Sequence, residues 1–216
     1  MTISRYSSAD KDEFQPGSRG RILRNRLGIT RIHELEEQEL RLYIECEERL
    51  LHSIRADQVL SIRDVNEIHR MFLGGLYDWA GTYRNVNLMK GGFPFAPARN
   101  IATLMEAFER EHLSASTPCQ GNEREICEGI ARVHAEFILI HPYREGNGRT
   151  ARLLSTVMAW QADYPTLDFS FIGRRGKGSG QYIGAIHAAH AGEYEPMEML
   201  MLRAMRGALR RFGGEK

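Results

Sequence analysis

A stretch of twelve residues, from His141 to Arg152, combines the side chains and glycines that suit the transfer of a phosphate-containing group; it reads HPYREGNGRTAR. Gly146 and Gly148 let the chain turn tightly and leave backbone N–H groups uncovered. Those groups would lie at the N-terminus of the following helix, where free donors and the helix dipole attract anions. We therefore expect a phosphate cradle at these glycines.

Four side chains of the same stretch supply the rest of the chemistry. Arg149 and Arg152 lie one helical turn apart, so both guanidinium groups suit phosphate oxygens on one face. Glu145 offers the hard oxygen ligand that Mg²⁺ prefers beside nucleotide phosphates. His141 is the base that can accept a proton at neutral pH. Together they indicate a phosphoryl- or nucleotidyl-transfer site, where positioning and electrostatics supply most of the catalysis.

Two helices must hold this stretch between them. The first is predicted to open at Asn122, with Glu125 completing a capping box, and its apolar stripe ends at Ile140. The second is predicted from Gly148 to about Ala162. The stretch is therefore expected to be a loop between two helices.

Apolar residues at steps of three and four predict further helices along the chain. One runs from Thr30, its expected N-cap, to about Ile54, another carries the stripe from Val65 to Trp79, a third follows Asn100, and the last starts at Pro196. A run of acids on the first of these is expected to form a solvated face: Glu36, Glu37, Glu39, Glu45, Glu47 and Glu48. Residues 86–95 suggest a hairpin or flap, and residues 173–180 a flexible basic loop.

Composition limits the remaining possibilities. The chain has 216 residues and a formal net charge of +1, which gives no general attraction to nucleic acid or to acidic membranes. We expect a mobile lead-in over residues 1–20 and one domain over residues 21–216. No apolar run approaches the roughly 20 residues that cross a bilayer, and residues 1–16 do not resemble a signal peptide. Three cysteines without a CxxC pair favour reduced thiols in a cytoplasm.

Residues 141–152 closely resemble the signature of the Fic (Fic/Doc) family, usually written HPFx(D/E)GNGRxxR, with Tyr143 where phenylalanine is usual. Residues 75–84, GLYDWAGTYR, are similar to the family's segment before its flap, and residues 90–97, KGGFPFAP, are similar to the flap. Residues 16–39 resemble the family's N-terminal entry. The resemblance implies an all-α fold, a Fic-type helical bundle with a small β-hairpin flap over the active site.

The resemblance also implies an activity: a protein adenylyltransferase that moves AMP from Mg-ATP to a Tyr, Thr or Ser hydroxyl of a target protein. His141 would deprotonate that hydroxyl, and Glu145 would hold Mg²⁺. The nucleotide would be bound by Gly146, Asn147 and Gly148 at the α-phosphate, by Arg149 and Arg152 at the outer phosphates, and by Lys90, Gly91, Gln181 and Tyr182 elsewhere. The flap residues implied to pair with the target's backbone are Lys90, Gly91, Gly92, Phe93 and Phe95.

Gly148 bears on the reaction type. In the Doc branch of the family the corresponding position is a lysine, and the transfer there is phosphorylation, so glycine favours AMP transfer. Three alternatives remain open on the sequence: a kinase-like transfer on the same fold, transfer of UMP, and a non-catalytic helical binding module.

An absence suggests how the site is regulated. Many Fic proteins carry an inhibitory motif, (S/T)xxxE(G/N), whose glutamate pairs with the second signature arginine, here Arg152. The nearest match runs from Thr30 to Glu34, but Leu35 follows it. Within the family this pattern implies a separate small antitoxin, and a type II topoisomerase subunit as the reference target. The sequence therefore predicts the toxin of a toxin–antitoxin pair.

Histidines outside the signature could form a metal site, but their spacing argues against one. His134 lies on a predicted helix and is expected to be structural. His187 and His190 have no third ligand at a sensible spacing, so packing or surface positions are expected for both.

Overall fold

The computed structural model describes residues 13–172 and 178–212, without the side chain of Phe212. Residues 173–177, which form most of the predicted basic loop, lie outside the described residues, as do residues 1–12 and 213–216. Helices dominate the described chain: α1 (Ile32–Ser53), α2 (Ile62–Leu73), α3 (Ile101–Phe108), α4 (Ser114–Ser116), α5 (Glu123–Ile140), α6 (Asn147–Gln161), α7 (Ser179–His190) and α8 (Glu195–Phe212). One wide helical turn, Glu109–Leu113, joins α3 to α4.

The central helix of the bundle is α5. It packs against α6 and α8, while α2 and α1 cover α6 and α7 covers α8. Phe137, Leu153 and Met201, from α5, α6 and α8, are fully buried where these helices meet. The loop between α5 and α6 therefore starts and ends on the most enclosed part of the fold.

Local signals predict several helix boundaries correctly. Asn122 caps α5, and Glu125 completes the predicted capping box. The last helix begins at Glu195, one residue before the predicted Pro196. Two predicted boundaries are wrong. The residue before α1 is Arg31, which makes no side-chain cap bond, and not the predicted Thr30. Helix α2 ends at Leu73, with Gly74 as its C-cap, and does not extend to the predicted Trp79.

The exposed and buried faces of α1 differ from the prediction. Leu40, Ile44 and Leu51 are 61%, 49% and 55% exposed, although their spacing indicates a core stripe. Glu39 is 4% exposed, although a solvated face is expected for its run of acids. The physical reason is a buried partner: Glu39 forms an ion pair with Arg149 of α6 at 2.6 Å. Carboxylates are almost never buried without such a pairing.

The packed chain begins by Glu13 rather than after residue 20. Phe14 forms an isolated antiparallel bridge with Leu23, and the backbone N–H of Gln15 donates to the carbonyl of Ile22 at 2.8 Å. Glu13 forms an ion pair with the guanidinium of Arg144. The bridge and the hydrogen bond shape the N-terminal segment, and the ion pair fastens it to the loop between α5 and α6.

The only strands in the described ranges form a hairpin. Strands β1 (Met89–Lys90) and β2 (Phe93–Pro94) are antiparallel. Gly91 and Gly92 both have positive φ, 58° and 84°, as a two-residue type I′ turn requires. The predicted hairpin is thus confirmed.

Two global features also bear on the predictions. Searching the described helices finds none with the length and apolarity needed to span a membrane. Cys46, Cys119 and Cys127 are buried and free of disulfides.

Candidate active site

The loop between α5 and α6 is fixed at both ends by left-handed backbone. His141 ends α5 with φ 54° and ψ 58°, an uncommon conformation for a residue with a side chain. Gly146 precedes α6 with φ 84°. The side chain of Asn147, the first residue of α6, accepts from the backbone N–H of Tyr143 at 2.8 Å and donates to the carbonyl of Tyr143 at 2.7 Å. The loop is therefore tied to the start of α6 by this side chain.

His141 is held in a defined protonation state. Its Nδ1 lies 3.1 Å from the carbonyl of Ile138, and because a carbonyl only accepts, Nδ1 must carry the proton. The lone pair of the neutral ring is then on Nε2. The residue is 4% exposed, and the ring of Phe95 stacks on it. Burial, with a smaller contribution from Lys90 and Arg84, lowers the pKa of His141 to about 3.

Arg84 joins the flap to this histidine. Its buried guanidinium donates from Nε to the carbonyl of His141 at 2.8 Å, and from its other nitrogens to Val86 and Ala96 at 2.6 Å each. The two latter carbonyls lie on either side of the hairpin. The carbonyl end of α5 also attracts the positive charge. The sequence places residue 84 next to the flap but gives no sign of this role.

The N-terminus of α6 has an open face at Gly148. A Cβ atom added at that position would meet no atom of another part of the chain within 4 Å. In contrast, the N–H of Gly146 donates to the carboxylate of Glu145 at 2.9 Å. Of the three residues expected to bind the α-phosphate, Gly146 therefore has its donor engaged, and Asn147 has its side chain engaged in the loop.

Arg149 is enclosed by three elements. Its guanidinium donates to Glu39 of α1 at 2.6 Å and to Glu145 of the loop at 3.4 Å, and it lies 5.0 Å above the centre of the Phe72 ring of α2. Burial alone would lower the pKa of Arg149, but Glu39 and Glu145 outweigh it and the pKa is raised. The expected phosphate clamp is thus already bonded to two carboxylates.

Arg152 has a different environment. In residues 13–172 and 178–212, no carboxylate lies within 4 Å of its nitrogens. The positive charge of Arg152 acts on Tyr43 and favours its ionised form, but burial outweighs it and raises the pKa of Tyr43 to about 12. Tyr182 of α7 also interacts electrostatically with this guanidinium. The second arginine is therefore the one that lies among neutral partners.

His134 is hydrogen-bonded to two hydroxyl groups, which confirms its predicted structural role. Its Nε2 lies 2.8 Å from the hydroxyl of Tyr182, and its Nδ1 lies 2.9 Å from the hydroxyl of Ser155. Burial lowers the pKa of His134 to about 3. Gln181, the residue before Tyr182, lies on the exposed side of α7.

The flap rests on α7 as well as on the signature loop. The ring of Phe93 stacks on His187 with centroids 4.9 Å apart and meets the edge of His190 at 5.6 Å. Lys90 and Gly91 are exposed near the tip of the hairpin. His187 and His190 are thus packing residues for the flap. Among the described residues, no group of three His, Cys, Asp or Glu side chains could hold a metal ion.

His69 of α2 is a second residue that the sequence patterns do not single out. It accepts the N–H of Gly81 at Nδ1 (2.8 Å), so its Nε2 carries the proton and donates to the carbonyl of Glu145 at 3.0 Å. Its ring is stacked on that of Tyr143, 3.7 Å between centroids. Tyr143 points inward as expected, and its hydroxyl donates to Asn66 at 2.6 Å. The spacing of α2 places His69 on the buried face, which is the one signal that could reveal it.

Comparison with known proteins identifies the family of this chain. The Fic/DOC family model matches residues 59–159, which contain the flap and the whole signature loop. "Probable protein adenylyltransferase y4lH" of Sinorhizobium fredii (strain NBRC 101917 / NGR234) is 30% identical over 170 residues, covering 74% of this chain and 81% of that protein. "Protein adenylyltransferase fic-1" of Caenorhabditis briggsae is 28% identical over 160 residues, covering 72% of this chain but 29% of that protein.

Solved structures share the fold. The N-terminal Fic domain of a VirB-translocated Bep effector protein from Bartonella quintana superposes with a TM-score of 0.69 at 21% identity, covering 96% of this chain and 95% of that one. BepC from Bartonella tribocorum, solved with bound AMPPNP, gives a TM-score of 0.67 at 24% identity, covering 84% and 91%. The predicted all-α bundle with a hairpin flap is confirmed, and the chain belongs to the Fic/DOC family.

Proposed function

We propose that this chain is a protein adenylyltransferase, which moves AMP from magnesium-bound ATP to a hydroxyl side chain of a target protein. One observation carries the proposal. The Nε2 lone pair of His141 belongs to the same short loop as the open helix N-terminus at Gly148. A proton acceptor and an anion site on one rigid loop are what a nucleophilic attack on a phosphate requires.

The chemical step balances with the residues of this loop. The target's hydroxyl oxygen attacks the α-phosphorus of ATP and forms a new O–P bond. The bond between the α-phosphorus and the oxygen that leads to the β-phosphate breaks, and pyrophosphate leaves. The hydroxyl proton goes to Nε2 of His141, whose other nitrogen keeps its proton against the carbonyl of Ile138.

The phosphates would be held at the N-terminus of α6. Gly148 permits close approach there, because nothing lies within 4 Å of the place where its side chain would be. Arg152, with no carboxylate within 4 Å among the described residues, is the better placed of the two arginines to bind an outer phosphate. Arg149 would act while bonded to Glu39.

A magnesium ion would be held by Glu145 together with phosphate oxygens and water. The donor set fits, since Mg²⁺ in nucleotide sites takes one or two carboxylates and completes its shell with phosphates and water. When bound, the ion would neutralise charge that develops on the phosphates. Lys90 and Gly91, at the hairpin, and Gln181 and Tyr182, on α7, are proposed as further nucleotide contacts.

The hairpin is proposed to bind the target by adding a strand to its exposed edge. The residues that would present this edge are Lys90, Gly91, Gly92, Phe93 and Phe95. A type II topoisomerase subunit is the reference target of family members that lack the inhibitory motif. It is therefore the first candidate to test. The acceptor would be a Tyr, Thr or Ser hydroxyl.

A transfer assay tests the proposal. Purified chain and its His141→Ala variant are incubated with Mg²⁺ and ATP labelled on the α-phosphate, with a bacterial lysate as the source of targets. Label on protein that is lost with His141→Ala supports AMP transfer. Transfer from γ-labelled ATP instead would show a kinase-like activity, and a mass increase of UMP would show another donor. If Mg-ATP does not change the melting temperature of the folded chain, the chain is a non-catalytic binding module.

We further propose a separate antitoxin, and hence a toxin role in the cytoplasm. Glu34, the nearest match to an inhibitory glutamate, is ion-paired with Arg31 rather than with Arg152. If a separate protein supplies the inhibitory glutamate, the purified chain is active alone and Arg152→Ala abolishes transfer. An isolated, folded chain that is inactive until one of its own glutamates is mutated would contradict the antitoxin.

A further inference from the structure

Glu39 is an unusual residue for its helix. It is 4% exposed, and it is the one aspartate or glutamate counted as buried in the part of the chain that the structure describes. The other acids of the α1 run are at least partly exposed. A carboxylate loses its hydration when it is buried, so it must gain a strong partner in exchange. That partner is a signature residue, Arg149.

The guanidinium of Arg149 lies between two carboxylates. It is 2.6 Å from Glu39 Oε2 and 3.4 Å from Glu145 Oε1, so the nearer partner is the one outside the signature. The side chains of the three residues are 5%, 17% and 13% exposed, in the same order Glu39, Arg149, Glu145. Water therefore screens these charges weakly, and their balance has a large effect on any ion that enters.

The balance of charge depends on Glu39. The charge of Glu39 offsets that of Arg149 at 2.6 Å, so the guanidinium repels a cation at Glu145 less strongly. Without the charge of Glu39 this offset would be lost. Arg149 would then have Glu145 as its one anionic partner in the cluster and would compete directly with a metal ion for it.

We infer that Glu39 is a positioning residue for the nucleotide site: it holds Arg149 and offsets its charge, which keeps the Glu145 carboxylate available to a divalent cation. The inference rests on the proposed function, since it concerns the magnesium that would accompany ATP. It assigns to α1, outside the signature, a part in setting how strongly the site depends on metal.

The test uses binding rather than transfer. The dissociation constant for AMPPNP is measured by titration calorimetry, once with Mg²⁺ and once with EDTA. The constant in EDTA divided by the constant in Mg²⁺ gives the metal dependence. We expect Glu39→Gln, which keeps the shape and removes the charge, to reduce this ratio by on the order of tenfold. Glu48→Gln is the matched control, because it removes the same charge from an exposed position of the same helix and should leave the ratio unchanged.

A conservative variant separates charge from shape. Glu39→Asp retains the charge with a shorter side chain, so it should keep most of the metal dependence even if it lowers the melting temperature. Equal weakening with and without metal in Glu39→Gln, or loss of the ratio in Glu39→Asp, would mean that Glu39 is merely structural and would overturn the inference. If the unmodified chain does not bind AMPPNP at all, the proposed function fails instead.

Discussion

The ring of Phe95 lies face to face with the imidazole of His141, with centroids 3.7 Å apart and planes inclined by 12°. The flap therefore covers the proposed general base directly. Arg84 fixes this arrangement, because it donates to the carbonyl of His141 and to the carbonyls of Val86 and Ala96, which precede and follow the hairpin. The imidazole is 4% exposed, so the structure shields the proposed base from water.

The first prediction concerns the shielding itself. Phe95→Ala exposes the imidazole, and because burial is the largest cause of its lowered pKa, the pKa of His141 should rise by at least about one unit. The measurement is the NMR titration of the histidine ring protons. In the unmodified chain His141 should show no titration above about pH 5.

Phe93→Ala is the control for this prediction. Its ring packs on His187 and His190 and meets Phe95 at an edge, but it makes no ring contact with His141, so its removal should change the titration of His141 much less than Phe95→Ala does. A Phe95→Ala variant in which His141 still does not titrate would show that other groups, such as Arg84, dominate the shift.

The second prediction concerns stability and pH. Burial lowers the pKa of both His134 and His141 to about 3, below the roughly 6.5 expected in the unfolded chain. The unfolded state therefore binds more protons between these values. Stability should be complete above about pH 7 and should fall by about 1.4 kcal/mol per pH unit for each histidine as the pH drops below about 6.

Urea denaturation at several pH values between 7 and 4 measures this slope. In the His141→Ala variant the slope of the unfolding free energy against pH should be smaller by the contribution of one histidine. Identical slopes in the variant and the unmodified chain would mean that His141 is protonated equally in the folded and unfolded states.

The loop and its flanking helices can be predicted because their signals are local. Asn122 and Glu125 mark the start of α5 within a few residues of each other. The glycines of the hairpin indicate a type I′ turn in the same way. The glycines and charged side chains between His141 and Arg152 likewise indicate phosphate chemistry without any contribution from distant parts of the chain.

Relationships across the chain cannot be predicted in this way. Glu39 looks like one acid among several, and only the fold brings it to Arg149, 110 positions away in the sequence. Its burial also means that a residue of the predicted solvated face of α1 points into the protein. The bonds of Arg84 end on backbone carbonyls, which every residue has, so no side-chain pattern reveals them. Such partners are specified by tertiary packing alone.

The third prediction tests Arg84. Arg84→Met should cost about 3 kcal/mol or more of unfolding free energy, because it leaves buried carbonyls without their charged donor. It should also make the hairpin more sensitive to limited proteolysis. Arg26→Met is the comparison: its ion pair with Asp78 joins side chains that are 54% and 82% exposed, so about 1 kcal/mol or less is expected. Equal losses in denaturant would refute a special role for Arg84.

The last prediction contrasts two glycines of the signature. Gly146→Ala should be destabilising, because the residue has φ +84° and a Cβ would lie 2.6 Å from Leu73 Cδ1. Gly148→Ala should fold at least as well as the unmodified chain and gain up to about 1 kcal/mol, since it lies in a helix with nothing within 4 Å. Its methyl group would nevertheless occupy the space proposed for the α-phosphate. We therefore expect Gly148→Ala to be stable in urea but to bind Mg-AMPPNP weakly by calorimetry. Unchanged affinity in this well-folded variant would place the phosphate away from the N-terminus of α6.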